Sequence, residues 1–213
     1  MVVVLGLLFV GCSKQEEELL LNEQEAAIET YVEALDEESY VEVVVENGVW
    51  RVVLDYGANN EGTVEESFVG ESSVEGGFVD VSVDSSPVEE SDFGKIGFGA
   101  DDIGAEAGDS LVFDYAAYVF QSGKGMFFAT SLPDLAESMG VSRDPGEYVP
   151  QEIVLGRDKI VSGLEKGLSG VKEGEHCYVI FSARHGFGNT HTGVVPELSA
   201  LMYEVWVKRV KKD

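Results

Sequence analysis

Apolar residues keep a helical rhythm early in the chain and a strand rhythm later. Between residues 16 and 39, where neither proline nor glycine occurs, Ala27, Ile28, Tyr31, Val32 and Leu35 recur at three- and four-residue spacing, the period of an amphipathic helix. Two β-branched runs follow, Tyr40 to Val45 and Val49 to Leu54, separated by Glu46-Asn47-Gly48. An Asn-Gly step between such runs predicts a hairpin. From 57 to 107 the chain is rich in Gly, Ser and Glu, with one alternating run, Phe78-Val79-Asp80-Val81-Ser82-Val83, that predicts a strand. The rest of that stretch reads either as partly folded chain or as linker. The second half predicts strands at 111–120, 126–129, 151–155, 176–182 and 200–210 and a short helix at 159–168, where Ile160, Val161, Leu164 and Leu168 share a face. A further helical stretch, Leu132 to Met139, lies inside a connection. Strands wrapping one or two short helices predict an antiparallel α+β domain.

Charge divides the chain at about the same place. Residues 1–112 hold 27 acidic residues against three basic ones (Lys14, Arg51, Lys95), a net of −24; residues 113–213 hold 13 against 11, a net of −2. The whole chain of 213 residues carries −26. Such a charge argues against nucleic acid as a partner, because phosphates meet repulsion on nearly every face. The split predicts an anionic extension joined to an ordinary globular domain, although a solvated face alone would give the same split.

The first residues, Met1 to Gly11, form a short apolar run that ends in a small residue before Cys12-Ser13-Lys14-Gln15. That is the shape of a signal-peptide core, too short to span a bilayer. Leu8-Phe9-Val10-Gly11-Cys12 resembles a bacterial lipobox, with Phe9 where Leu is commoner and no Lys or Arg ahead of the run. Cys12 is the expected lipidation site, and a strand at the start of the chain is the alternative. The other cysteine, Cys177, sits in the apolar run Cys177-Tyr178-Val179-Ile180-Phe181 and is expected to be a buried, inert thiol. Two cysteines exclude a disulfide framework.

Familiar catalytic patterns are missing. His176, His185 and His191 lie close in sequence but lack the flanking thiols and carboxylates of a closed metal site, so no metal is expected. Gly186-Phe187-Gly188 lacks the Lys-Ser/Thr step of a phosphate loop, and there is no Gly-x-Ser-x-Gly elbow.

A series of ordered motifs carries a resemblance instead. Gly108-Asp109-Ser110-Leu111-Val112-Phe113-Asp114-Tyr115 is followed by Leu155-Gly156, then Lys159-Ile160-Val161-Ser162-Gly163-Leu164-Glu165-Lys166-Gly167-Leu168. Gly170-Val171-Lys172-Glu173-Gly174-Glu175, Gly186-Phe187-Gly188, Gly193-Val194-Val195-Pro196 and Leu201-Met202-Tyr203-Glu204-Val205 come next. In this order they resemble the FKBP family of peptidyl-prolyl isomerases over residues 108–213. The resemblance implies an antiparallel sheet wrapped around a short helix. It also implies isomerisation of X-Pro bonds in an apolar pocket without cofactor or metal.

Carried over by motif, Tyr115 is the pocket tyrosine and Phe128 the wall beside the proline ring. Ile160 and Val161 open the helix, the Val161 N–H binding a substrate carbonyl. Leu164 forms the floor, Val194 and Val195 one side, and Tyr203 the back. Ala129 stands where the family has an acid and Gln151 where it has a second wall aromatic, two places before Ile153. The loop aromatic maps to Phe187 or to His185.

The expected organisation is a lipoprotein signal segment (1–12), an acidic extension (13–107) and an isomerase domain (108–213). Exported or unfolded proline-containing polypeptides would be its substrates. The lipid anchor would tie it to the membrane in the cell envelope of a Gram-negative-type bacterium, periplasmic or surface-exposed. One alternative is an FKBP-like module that binds peptides without turnover; another is a surface protein whose acidic half is the working part. The acidic half is further expected to be separable from the domain, with strand Val49–Leu54 the segment that could join its sheet.

Overall fold

A computed structural model describes residues 7–57, 104–141 and 148–213, with side chains from residue 14 onward. Helix α1 (Leu7–Glu33) precedes a 3-10 turn (Glu37–Ser39) and the hairpin β1 (Glu42–Glu46) and β2 (Val49–Asp55). Then follow β3 (Ser110–Phe120), β4 (Lys124–Thr130), α2 (Pro133–Ser138), β5 (Gln151–Val154), α3 (Ser162–Leu168), β6 (His176–Phe181) and β7 (Leu201–Lys211). The expected strand at Phe78–Val83 lies outside the described residues.

All described strands belong to one sheet in the order β1-β2-β6-β7-β3-β4, with β5 also paired to β3, and every pairing is antiparallel. The Asn47-Gly48 step makes the hairpin turn with both residues at positive φ (48° and 75°), the conformation such a two-residue turn requires. Beyond the turn β2 pairs with β6, from Val49 opposite Phe181 to Asp55 opposite His176. The sheet therefore crosses the boundary expected at residue 108.

Strand alternation sends side chains to two faces. On one, Leu111, Phe113, Ala117, Cys177, Val179, Phe181, Leu201, Tyr203 and Val205 pack against Leu164 and Leu168 of α3. On the other, Trp50, Val52, Phe120, Ile180 and Met202 pack against Ile28 and Val32 of α1. Leu21, Ile28 and Val32 form the buried stripe of α1, whereas Ala27 of the expected face is exposed. Burying side chains of this size contributes roughly 1.5–3 kcal/mol each. The short helix expected at 159–168 begins only at Ser162, because Val161 is an extended N-cap (φ −61°, ψ 130°). No helix among the described residues is long and apolar enough to cross a membrane.

Candidate functional site

The site is built on α3 and the strands beneath it. α3 lies close to β6 because two of its residues lack a side chain. A Cβ on Gly163 would stand 2.3 Å from Cγ of Phe181, and one on Gly167 would stand 2.1 Å from Cγ1 of Val179. At the far end of the helix, Arg51 from β2 donates through Nη1 to the carbonyls of Gly167 (3.2 Å) and Ser169 (2.6 Å). Helix ends leave such carbonyls without intrahelical partners, and a cation there also opposes the helix dipole. The Arg51 Nε faces Glu175 Oε1 at 3.3 Å, an ion pair out of line for a hydrogen bond. Glu175, which is 1% exposed, accepts a hydrogen bond from the Lys172 N–H through its other oxygen. A charge so deeply buried needs its partner, so Arg51 ties the N-terminal hairpin to the helix under the site.

Above this support the aromatic rings converge on Tyr203. Its ring stacks on Phe181 (centroids 5.9 Å apart, 17°), meets Phe128 edge-on (6.0 Å, 88°) and lies 6.1 Å from Tyr115. Phe128 in turn meets Phe187 edge-on at 6.4 Å. Tyr203 and Leu164 are buried, and Tyr115, Phe128, Ala129, Ile160, Val161 and Phe187 pack on the same core while remaining partly exposed. The result is an apolar shelf of half-covered side chains over a buried floor.

Tyr115 is held by the strand beside it. Its N–H donates to Ser131 Oγ (3.0 Å), and its carbonyl accepts from Thr130 Oγ1 (2.7 Å) and from the Ser131 N–H (3.0 Å). Ser131 Oγ also donates to Asp114 Oδ1 (2.7 Å), and Asp114 pairs with Lys208. Burial, and then the nearby Tyr115, pushes the Tyr203 phenol well above its usual range, so it stays protonated near neutrality. No described residue accepts a hydrogen bond from the Val161 N–H, which leaves one donor at the edge of the shelf. Among the described residues no three His, Cys, Asp or Glu side chains form a metal-binding group.

Most of the residues expected from sequence come together here. Tyr115, Phe128, Ala129, Ile160, Val161, Leu164, Phe187, Val195 and Tyr203 share one core, and Ile153 belongs to its buried part. Val194 is 61% exposed and Gln151 is also exposed, at the start of β5 opposite Phe113. Between the two alternatives for the loop aromatic, Phe187 faces Phe128. The His185 ring does not take the loop-aromatic position: it sits 3.2 Å from Lys166 Nζ and beside Gly48. Burial, then Lys166, lowers its pKa. Sequence reasoning missed Phe181 as the surface under Tyr203, although the alternation Cys177, Val179, Phe181 places it on that face. It also missed Ser131 and Asp114, whose role depends on a pairing between strands that local pattern does not reveal.

The family model for FKBP-type peptidyl-prolyl cis-trans isomerases matches residues 102–208, half of the chain. The chain belongs to that family. Similar solved structures include FkpA from Escherichia coli, with a TM-score of 0.49 and 15% identity over 93% of this chain and 64% of that one. Others are the three FKBP domains of wheat FKBP73 (TM-score 0.47, 16% identity, 82% of this chain and 51% of that one) and a multi-domain immunophilin from Arabidopsis thaliana (0.48, 17%, 80% and 46%). The chain thus spans less than two thirds of the length of each. No curated protein matches the chain in sequence.

Proposed function

We propose that this chain is a peptidyl-prolyl cis–trans isomerase acting on X-Pro bonds of exported or unfolded polypeptides. The barrier to amide rotation, ~18–20 kcal/mol, is largely resonance between nitrogen and carbonyl. A twisted amide is less polar than a planar one, so an apolar site binds it in preference to the ground state and lowers the barrier. The observation that carries the reading is the half-covered set Tyr115, Phe128, Ile160, Val161 and Phe187 over buried Tyr203 and Leu164. The proline ring would lie on Tyr203 between Phe128 and Tyr115, with the Val161 N–H offered to the preceding carbonyl. No proton transfer is asked of any residue.

A second reading, peptide binding without turnover, draws on Ala129 and Gln151, which stand where the family resemblance implies an acid and a second wall aromatic. An NMR-exchange assay of the full chain with proline tetrapeptides separates the two. Isomerisation faster than the uncatalysed tens to hundreds of seconds is expected. Binding without acceleration would select the second reading. Acylation of Cys12 and location in the cell envelope belong to the same proposal, supported by Val10-Gly11-Cys12. Intact-mass measurement of the membrane fraction tests them, and a product keeping residues 1–11 unmodified would sink the anchor.

A further inference from the structure

The connection between β6 and β7, residues 182–200, carries Phe187 and Val195 into the site, and one side chain of α1 holds both of its ends. Gln24 Nε2 donates to the Leu198 carbonyl at 2.6 Å, across 174 residues of sequence, and Gln24 Oε1 accepts from the Ala183 N–H at 2.9 Å. Within the connection the Leu198 N–H donates to the Gly188 carbonyl (2.8 Å) and the Gly188 N–H donates to the Ala183 carbonyl (3.2 Å). These four bonds close a ring in which each residue donates to the next: Gln24 to Leu198, Leu198 to Gly188, Gly188 to Ala183, Ala183 to Gln24. A side-chain amide offers one acceptor and a donor pair, so Gln24 supplies the group that the backbone alone lacks to close the circuit. Its orientation follows from its partners, since an N–H must meet the amide oxygen and a carbonyl the amide nitrogen.

Two further observations point to the same role. Leu198 stands at φ 52°, a left-handed conformation that a bulky residue avoids, and both of its backbone polar groups are members of the ring. The next residue of the same helix reinforces the grip: Glu25 Oε1 accepts from Ser182 Oγ (3.0 Å) and from Arg184 Nε (3.1 Å). Gly188 is the immediate neighbour of Phe187, whose ring meets Phe128 at 6.4 Å.

We propose that Gln24 is a positioning residue: by closing this ring it fixes Phe187 against Phe128, so that a helix outside the matched family region shapes the proline site. The proposal rests on reading that site as one for proline peptides.

The test uses the full chain, Gln24→Ala and Gln24→Glu. Glutamate keeps the acceptor for Ala183 and loses the donor to Leu198. Amide hydrogen exchange at Gly188 and Leu198 is compared with exchange in β6 and β7, and proline-tetrapeptide affinity and kcat/KM are measured alongside. In Gln24→Ala, exchange at Gly188 and Leu198 should rise about tenfold, as expected for one or two lost hydrogen bonds, while the sheet is unchanged. Peptide affinity should fall with it, and Gln24→Glu should lie between the two. Unchanged exchange at Gly188 and Leu198, or a rise only in step with the sheet, overturns the proposal. Loosened exchange with unaltered peptide affinity overturns it as well. Absence of turnover in the unaltered chain counts against the isomerase reading alone, because exchange and affinity still decide the role of Gln24.

Discussion

The two faces of the sheet are closed by helices of very different length. On one face α1 seals Val52, Ile180 and Met202 to zero exposure. On the other, the seven residues of α3 cover the centre of the core and leave Tyr115, Phe128, Ile160, Val161 and Phe187 only partly covered. Apolar surface that the fold buries stabilises it, whereas apolar surface left in water is free energy available to a ligand. The α1 face buries its side chains and so stabilises the fold, whereas the α3 face leaves part of its apolar surface open, where the proposed peptide would bind.

Removing α1 and the hairpin should break this arrangement outright. Deletion of residues 13–100 exposes the β6 edge, uncovers Ile180 and Met202, and leaves Glu175 buried without Arg51. Loss of an uncompensated ion-pair partner alone costs roughly 3–5 kcal/mol. The cooperative thermal transition is expected to disappear, and its survival would show residues 101–213 to be self-sufficient.

Single truncations should sharpen the contrast. Ile28→Ala on the sealed face is expected to lower stability by about 2–5 kcal/mol while the molecules that remain folded keep their turnover. Phe128→Ala, on the open face, should lose at least about tenfold in kcat/KM, or ~1.4 kcal/mol of barrier, in protein that still melts cooperatively. Urea unfolding and the exchange assay on both variants check the pair; equal losses of activity would erase the distinction between the faces.

A smaller effect concerns the polar group beside the sealed face. Burial raises the pKa of Glu204, but hydrogen bonds from His176 (3.1 Å) and Lys124 (2.7 Å) outweigh burial and hold it below its ordinary value. A carboxyl depressed in the native state stabilises it fully above the unfolded pKa, about 4.3, and loses that contribution as pH falls through the lower native value. The stability difference between the unaltered chain and Glu204→Gln should therefore be present at pH 7 and shrink towards pH 3, with turnover little changed. A constant difference would deny the linkage. Smallest of all, His191→Ala should leave both turnover and melting unaltered, because His191 is exposed and the proposed mechanism moves no proton.

The open face was the more legible of the two in sequence. The family resemblance carried by the ordered motifs implied Tyr115, Phe128, Leu164 and Tyr203 before any geometry. The helical rhythm of Ile28 and Val32 and the Asn47-Gly48 turn likewise announced α1 and the β1–β2 hairpin. What local pattern could not supply was the partner of each. Nothing around Val49–Leu54 names Phe181 as the neighbour of Val49, and nothing around Gln24 names Leu198. The choice of Phe187 over His185 also required space, since both sit on the same short turn and only one ring reaches Phe128. Arg51 reads as an isolated cation in an acidic stretch until the carbonyls of Gly167 and Ser169 are seen above it.

The position of β7 has a consequence for how the chain reaches its fold. This strand, which follows all the other described strands in the chain, lies between β6 and β3 and is hydrogen-bonded to both. Before it emerges, β1, β2 and β6 can form one ladder and β3, β4 and β5 another, but no described strand pairing joins them. Such dependence on late, distant pairings slows folding and prolongs the time that strand edges stay open. In a chain translated from its N-terminus the two ladders consequently stay unjoined until residues 201–211 emerge, and loss of those residues would leave two half-sheets rather than a shortened whole.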